Sequence, residues 1–141
     1  LMNIPKEHNV VINPHPSLDK RKLLKILTKC SVENFSIVDE IPDDEYLFCI
    51  STFTTKILNI VSYKIPLIML NTPSFKFMRK WGFVDELYTS LNGFCEDKED
   101  FIKYINNIDS FLDFYDTEHN TKVLQKNYTV DAKNNFLSII S

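Results

Sequence analysis

Short, continuous apolar runs alternate with longer segments of helical character along most of the chain, and this alternation limits the choice of fold more than any other feature. Strands with one face in water alternate apolar and polar residues, whereas these runs are apolar throughout. They are therefore typical of parallel strands that are covered on both faces. The predicted strands are 9–13, 35–38, 46–50, 66–70 and an edge strand at 84–87.

The segments between the predicted strands carry apolar residues at helical spacing. They predict helices at 18–29, 54–64, 74–81 and 97–107, followed by a mostly helical tail. Strands that alternate with helices indicate an α/β fold. We predict a three-layer, Rossmann-like fold with a mostly parallel sheet and helices on both faces. Residues 1–108 are predicted to form this domain, and residues 109–141 a helical extension that packs on it.

The composition excludes several kinds of binding site. The chain of 141 residues has only two glycines, Gly82 and Gly93, so it lacks the glycine-rich loops that cradle phosphates in many nucleotide-binding proteins. Its net charge of -3 disfavours non-specific binding to nucleic acid. The three cysteines are far apart and form no CxxC pair, so we predict no metal site, and Cys49 is predicted to be a core residue.

His15 follows the first predicted strand and lies between Pro14 and Pro16, directly before Ser17. One interpretation is a plain strand-to-helix turn in which Ser17 is the N-cap of the helix. The other is an anion site, in which His15 and the helix N-terminus hold a phosphate. The prolines restrict the backbone, so the imidazole ring would be positioned before a ligand arrives.

A second polar turn follows the third predicted strand, where Ser51 and Thr52 are expected to open the next helix. Ligands of open α/β sheets bind at the carboxyl ends of the strands, so we expect this turn and the His15 turn to face one anionic ligand. The alternative is that Ser51 or Thr52 only caps a helix. Further polar side chains at predicted strand ends are Asn13, Asn71 and Thr72.

The order of these motifs resembles the C-terminal half of GT-B glycosyltransferases, above all the bacterial sialyltransferase and polysialyltransferase group that builds capsule and lipooligosaccharide. In that group an HP motif and a Ser/Ser-Thr motif contact the CMP part of CMP-sialic acid, and here they correspond to His15–Pro16 and Ser51–Thr52. The step Lys64–Ile65–Pro66 is similar to the GKP step of many GT-B donor domains, with Tyr63 where glycine is common. The resemblance covers residues 9–95.

The resemblance implies a donor-binding domain that uses no cofactor and takes a CMP-sugar as its donor. Chemistry would be inversion at an anomeric carbon with CMP leaving, and His15 would act as hydrogen-bond donor or general acid to the phosphate. Pro16, Ser17, Ser51 and Thr52 would bind the nucleotide, with Asn13, Asn71 and Thr72 as further donor contacts. The group's acidic catalytic motif belongs to an N-terminal half that this chain lacks, so we expect the chain to be a piece of the enzyme.

Partners and location follow from the same resemblance. We expect a nucleotide-sugar donor, a glycan or glycolipid acceptor, no nucleic acid, and a cytoplasmic protein with peripheral contact to the inner membrane as an open alternative. Two alternative functions remain. Teichoic-acid glycerophosphate transferases also pair an HP motif with a Ser-rich turn. A flavodoxin- or receiver-like module that binds a protein and performs no chemistry would have the same alternation of strands and helices.

Aromatic and basic residues are mixed in the segment FKFMRKWGF at 75–83. Packing of Phe75, Met78 and Trp81 under a basic rim is the prediction from the pattern. A membrane-surface or nucleic-acid patch is the alternative, and the net negative charge argues against nucleic acid.

Overall fold

The computed structural model divides the chain into two compact units, residues 1–45 and 46–141. It describes residues 8–30, 33–42, 45–52, 56–82 and 86–124. Each unit has its own parallel sheet, and helices connect the strands. The predicted α/β class is thereby confirmed, and parallel strands joined by helices are compatible with a Rossmann-like fold. The three-layer arrangement and the domain boundary after residue 108 stay predictions.

The first unit is a single strand–helix–strand motif. Strand β1 (Val10–Ile12) pairs in parallel with β2 (Phe35–Ile37), and Ile12 lies opposite Ile37. Helix α1 (Lys20–Lys29) connects them, because parallel strands cannot be joined by a tight turn. Leu27 is the one residue of the described part of this unit that is fully buried.

The second unit contains a three-stranded parallel sheet in the order β3–β4–β5. Its strands are β3 (Cys49–Ser51), β4 (Leu67–Leu70) and β5 (Phe94–Cys95). The helices are α2 (Ile57–Ser62), α3 (Pro73–Lys80), α4 (Lys98–Asn106) and α5 (Ile108–Phe114), with a 3-10 helix at Glu86–Ser90 and helical residues 117–124.

The core of the second unit lies between the central strand and the helices that follow β3 and β4. Leu67 and Met69, two residues apart on β4, share one face of the sheet and pack in the same buried cluster. Side chains from the helices and the later loops complete this cluster: Ile57, Ile60, Val61, Phe75, Tyr88, Leu91 and Leu124. The central strand, β4, therefore anchors the sheet to the hydrophobic core of this unit.

Three predicted elements differ from the structure. The fifth strand was predicted at 84–87, yet the described part of that range, Glu86 and Leu87, belongs to the 3-10 helix, and the strand lies at Phe94–Cys95. Helix α2 spans Ile57–Ser62 and so is shorter than the predicted helix at 54–64, of which residues 54 and 55 lie outside the described part of the chain. Finally, the described strands form two sheets rather than one.

Candidate functional site

The His15 turn lies at the carboxyl end of β1. The carbonyl of His15 accepts a hydrogen bond from the Leu18 N–H at 2.8 Å, which closes a four-residue turn. Pro16 is the second residue of this turn, the position where the fixed φ of proline fits best. The sequence signal of a histidine between prolines thus corresponds to a tight, preset turn at a strand end.

The hydrogen bonds of the turn also decide where the imidazole proton lies. The backbone N–H of Ser17 donates to His15 Nδ1 at 3.2 Å, and the Ser17 hydroxyl lies 2.7 Å from the same nitrogen. A backbone N–H can only donate, so Nδ1 must be the acceptor. The neutral ring therefore carries its proton on Nε2, and this exposed N–H is the donor that His15 can offer to a ligand.

Ser17 is not the N-cap of α1, as one interpretation of the sequence predicted. The cap is Asp19, whose carboxylate accepts from the Arg21 N–H at 2.9 Å. Ser17 lies two residues too early, because the turn that begins at His15 uses the residues up to Leu18 before the helix starts. Its hydroxyl serves the imidazole ring instead.

Asn13 joins the two strand ends of the first unit. Its amide nitrogen donates to the carbonyls of Val38, at 3.1 Å, and of Asp39, at 2.8 Å. The carboxylate of Asp39 in turn pairs with Lys20 at the start of α1. Asn13 was predicted to contact the donor substrate. In this structure its amide nitrogen instead joins the carboxyl ends of β1 and β2.

In the second unit, hydroxyl groups meet at the carboxyl edge of the sheet. Ser51 is the last residue of β3, and Thr52 follows it. The hydroxyl of Thr52 lies 3.0 Å from that of Thr72, which follows β4 and caps α3 by accepting from the Phe75 N–H. The mutual bond uses one of the two hydroxyl protons of the threonine pair, so the other can be donated to a ligand.

Ser51 and Thr52 do not open a helix, contrary to the expectation. The N-cap position of α2 is Lys56, four residues after Thr52. Ser51 donates its hydroxyl proton to the Thr52 carbonyl at 2.8 Å, so it can donate to a ligand only by giving up this bond. Anion binding at this turn would therefore depend on hydroxyl groups and not on the α2 helix N-terminus.

Polar residues also follow β4 and β5 at this edge of the sheet. They are Asn71, after β4, and Glu96, after β5. The amide nitrogen of Asn71 donates to the Glu96 carboxylate at 2.8 Å and to its carbonyl at 3.2 Å. The amide oxygen of Asn71 is buried and has no hydrogen-bond partner among the residues that the structure describes, a state that costs about 1–3 kcal/mol. Glu96 is exposed and offers carboxylate oxygens to a ligand at the same edge.

The sequence analysis did not predict Glu96 as a site residue, because it placed the fifth strand at 84–87. The signal was present, since Glu96 directly follows the apolar pair Phe94–Cys95 and precedes Asp97, the first residue of the predicted helix at 97–107. Asp97 accepts from the Asp100 N–H at 3.0 Å and is the N-cap of α4.

Cys49, which was predicted to be a core residue, is half-buried. It packs against the main buried cluster, and burial raises the pKa of its thiol to about 11. A thiol with such a pKa is almost wholly protonated at neutral pH, and the thiolate is the nucleophile. Cys49 is therefore unsuited to nucleophilic catalysis.

An open cavity of about 360 Å³ lies at the other end of the second unit's sheet, beside Gly93 and Phe94 at the start of β5. Tyr104, Asp116 and His119 are among its lining residues, and none of them was assigned a role from the sequence. His119 Nε2 lies 2.9 Å from the Ser90 carbonyl oxygen. A carbonyl oxygen can only accept, so the Nε2–H of His119 is the donor of this hydrogen bond.

Within the described ranges, no group of three His, Cys, Asp or Glu side chains is arranged to hold a metal ion. None of the described helices combines the length and the apolar character needed to span a bilayer. The chain matches no protein-family model, no curated protein sequence and no solved structure.

Proposed function

We propose that the chain is the donor-binding part of a glycosyltransferase with the three-layer GT-B arrangement, and that its donor is CMP-sialic acid in the synthesis of a surface polysaccharide. The observation that carries the proposal is the 3.0 Å contact between the Thr52 and Thr72 hydroxyls. It joins two Ser/Thr turns at the carboxyl edge of a parallel sheet, where α/β proteins bind nucleotides.

The groups along this edge suit the parts of a nucleotide. The hydroxyl proton that the Thr52–Thr72 contact leaves available would be donated to a phosphate oxygen. Ser51 would donate there too by giving up its bond to the Thr52 carbonyl. The Glu96 carboxylate, which repels a phosphate, would accept hydrogen bonds from the ribose hydroxyls. The buried amide oxygen of Asn71 calls for a donor, which a hydroxyl or amino group of the ligand would supply.

His15, in the first unit, is proposed as a hydrogen-bond donor to a phosphate in its own right, through the Nε2–H that the Ser17 contacts leave available. During transfer the bond between the anomeric carbon and the phosphate oxygen breaks, and negative charge develops on the leaving CMP. A hydrogen bond or a proton from Nε2 would stabilise that charge. The acceptor is proposed to be a glycan or glycolipid hydroxyl, which attacks from the opposite side, inverts the centre and loses its proton to the acidic catalytic motif that this group of enzymes carries in its N-terminal half.

Isothermal titration with CMP tests the proposal on the second unit. Thr52→Val removes the hydroxyl and should weaken CMP binding about 5- to 10-fold, the value of one hydrogen bond of ~1–1.4 kcal/mol. Thr52→Ser keeps the hydroxyl and should bind CMP like the parent chain. Ser62→Ala is the matched control, since the Ser62 hydroxyl only bonds its own helix.

The same titration tests the role of His15 and the preference for the cytosine base. His15→Ala should weaken CMP binding, whereas UMP and AMP should bind the parent chain less tightly than CMP. Equal affinity of all three nucleotides would contradict the CMP assignment. No detectable binding of any nucleotide, with the variants equal to the parent, would favour the module that binds a protein and performs no chemistry.

A further inference from the structure

Helix α3 and the C-cap residue that follows it, Trp81, present two aromatic side chains to solvent. Phe77 is 59% exposed and Trp81 is 62% exposed, and their ring centroids lie 6.1 Å apart. Trp81 was predicted to pack under a basic rim together with Phe75 and Met78. Phe75 is indeed fully buried, but Trp81 is not. An exposed pair of large aromatic rings in contact is an unusual feature for a protein surface in water.

Two lysines lie beside the aromatic pair. Successive residues of an α-helix are about 100° apart around the axis, so Lys76 and Lys80 form one row and Phe77 and Trp81 form the neighbouring row. Both lysines are exposed, and α3 contains no acidic residue. We call these four residues the aromatic–basic face of α3.

The charge of this face is opposite to that of the whole chain. The net charge is -3, with 19 acidic against 16 basic residues, yet the eight residues of α3 carry three basic residues and no acidic one. On α3, positive charge thus occurs together with exposed apolar rings. This combination is complementary to a surface that is negatively charged outside and apolar just beneath.

We propose that the aromatic–basic face of α3 docks on a lipid bilayer that carries anionic headgroups. Tryptophan favours the boundary between headgroups and hydrocarbon, so Trp81 and Phe77 would insert there. Lys76 and Lys80 would lie along the surface and attract the anionic headgroups. The proposal rests on exposed residues of one helix and does not depend on the proposed nucleotide site.

Trp81 makes a direct test available, because it is the chain's single tryptophan. Its fluorescence should shift to shorter wavelength when vesicles containing about a third phosphatidylserine are added, as expected for a ring that leaves water at the interface. Brominated lipid in the same vesicles should quench the emission. Vesicles of phosphatidylcholine alone should have a much weaker effect, and added salt should reverse the binding.

Variants assign the binding to this face. Phe77→Ser and the pair Lys76→Gln with Lys80→Gln should each reduce vesicle co-sedimentation several-fold, while circular dichroism and the response to CMP stay unchanged. Lys25→Gln with Lys29→Gln, on α1, is the matched control with the same change of charge. It should bind vesicles like the parent chain.

Three results would overturn the proposal. The first is an unchanged Trp81 emission with every vesicle. The second is a blue shift that grows with protein concentration in the absence of lipid, which would identify a second copy of the chain as the occupant. The third is an equal loss of binding in the α1 control pair, which would show that charge alone acts and that α3 has no special part.

Discussion

Gly93 occupies the most constrained backbone position that the structure reveals. Its φ is +90°, and a Cβ built on it would lie 2.1 Å from the Leu67 carbonyl oxygen, in the central strand. Gly82 also has a positive φ, +72°, but a Cβ there would meet nothing within 4 Å. A side chain at Gly82 would therefore cause backbone strain alone, whereas a side chain at Gly93 would cause strain and also clash with the sheet.

We expect Gly93→Ala to destabilise the protein by about 3 kcal/mol or more, because strain and overlap add. Gly82→Ala should cost only about 1 kcal/mol, the strain alone. Urea unfolding of both variants measures the difference. Equal losses of stability would show that β5 does not approach β4 as closely as described.

The buried thiols predict how stability depends on pH. Burial raises the pKa of Cys49 to about 11, and burial together with Asp100 and Asp97 raises that of Cys95 to about 12. The unfolded chain has thiols with a pKa near 9, so above pH 9 it loses protons that the folded chain retains. The free energy of unfolding should therefore fall as pH rises from 9, by about 1.4 kcal/mol per pH unit for each thiol.

Urea unfolding at several pH values between neutral and alkaline checks this slope. Burial also raises the pKa of Tyr104 and Tyr115, which adds a loss in the same direction. The comparison is therefore made with Cys49→Ala, which should lower stability at neutral pH but show a shallower decline above pH 9. A parallel decline in the variant and the parent chain would exclude Cys49 as a cause.

Single residues were predictable where one local contact decides the structure. The caps Thr72 and Asp97 follow from the chemistry of a short polar side chain before a helix. Ser17 has that chemistry too, but a proline turn before the helix moves the cap to Asp19. Trp81 could not be placed from its spacing, because exposure depends on which surfaces of α3 are covered.

At the scale of the elements, the helix at 117–124 is held by a buried polar network. Asn120 is fully buried, accepts from the Asn92 N–H at 2.7 Å, and donates to the Asn92 carbonyl at 3.0 Å and to the Tyr115 hydroxyl at 2.6 Å. These bonds fix the helix to the loop that precedes β5. Satisfied buried networks of this kind are costly to break.

Asn120→Leu keeps a similar volume but leaves these partners unpaired, so we expect a loss of about 3 kcal/mol. Hydrogen exchange should accelerate through residues 117–124. Glu118→Gln, an exposed change in the same helix that weakens only its pairing with Lys122, should stay within about 0.5 kcal/mol of the parent chain. If both variants are equally stable, the network does not hold the helix.

The strand and helix order was largely predictable because continuous apolar runs and helical spacing are local signals. The exception was β5. Its two residues, Phe94–Cys95, are too few to form a pattern, whereas the segment 84–87 has the composition of an edge strand. What defines β5 is its pairing with Met69 and Leu70 in the central strand, and such distant contacts are not visible in a local pattern.

At the scale of the whole molecule, the chain consists of two parallel-sheet units that carry different polar groups at their strand ends. The first offers the exposed Nε2–H of His15, and the second offers the threonine hydroxyls and the Glu96 carboxylate. The sequence predicted that polar groups lie at strand ends. The division into two sheets could not be predicted, because it depends on which strands pair.

Nuclear magnetic resonance of the isotope-labelled chain during a CMP titration is the most direct measurement of the proposed nucleotide site. We expect saturable shifts of the backbone amides of residues 51–52, 71–72 and 96, with α4 unchanged. Shifts confined to the cavity near His119, or none at saturating CMP, would contradict the nucleotide site at the carboxyl edge of the sheet.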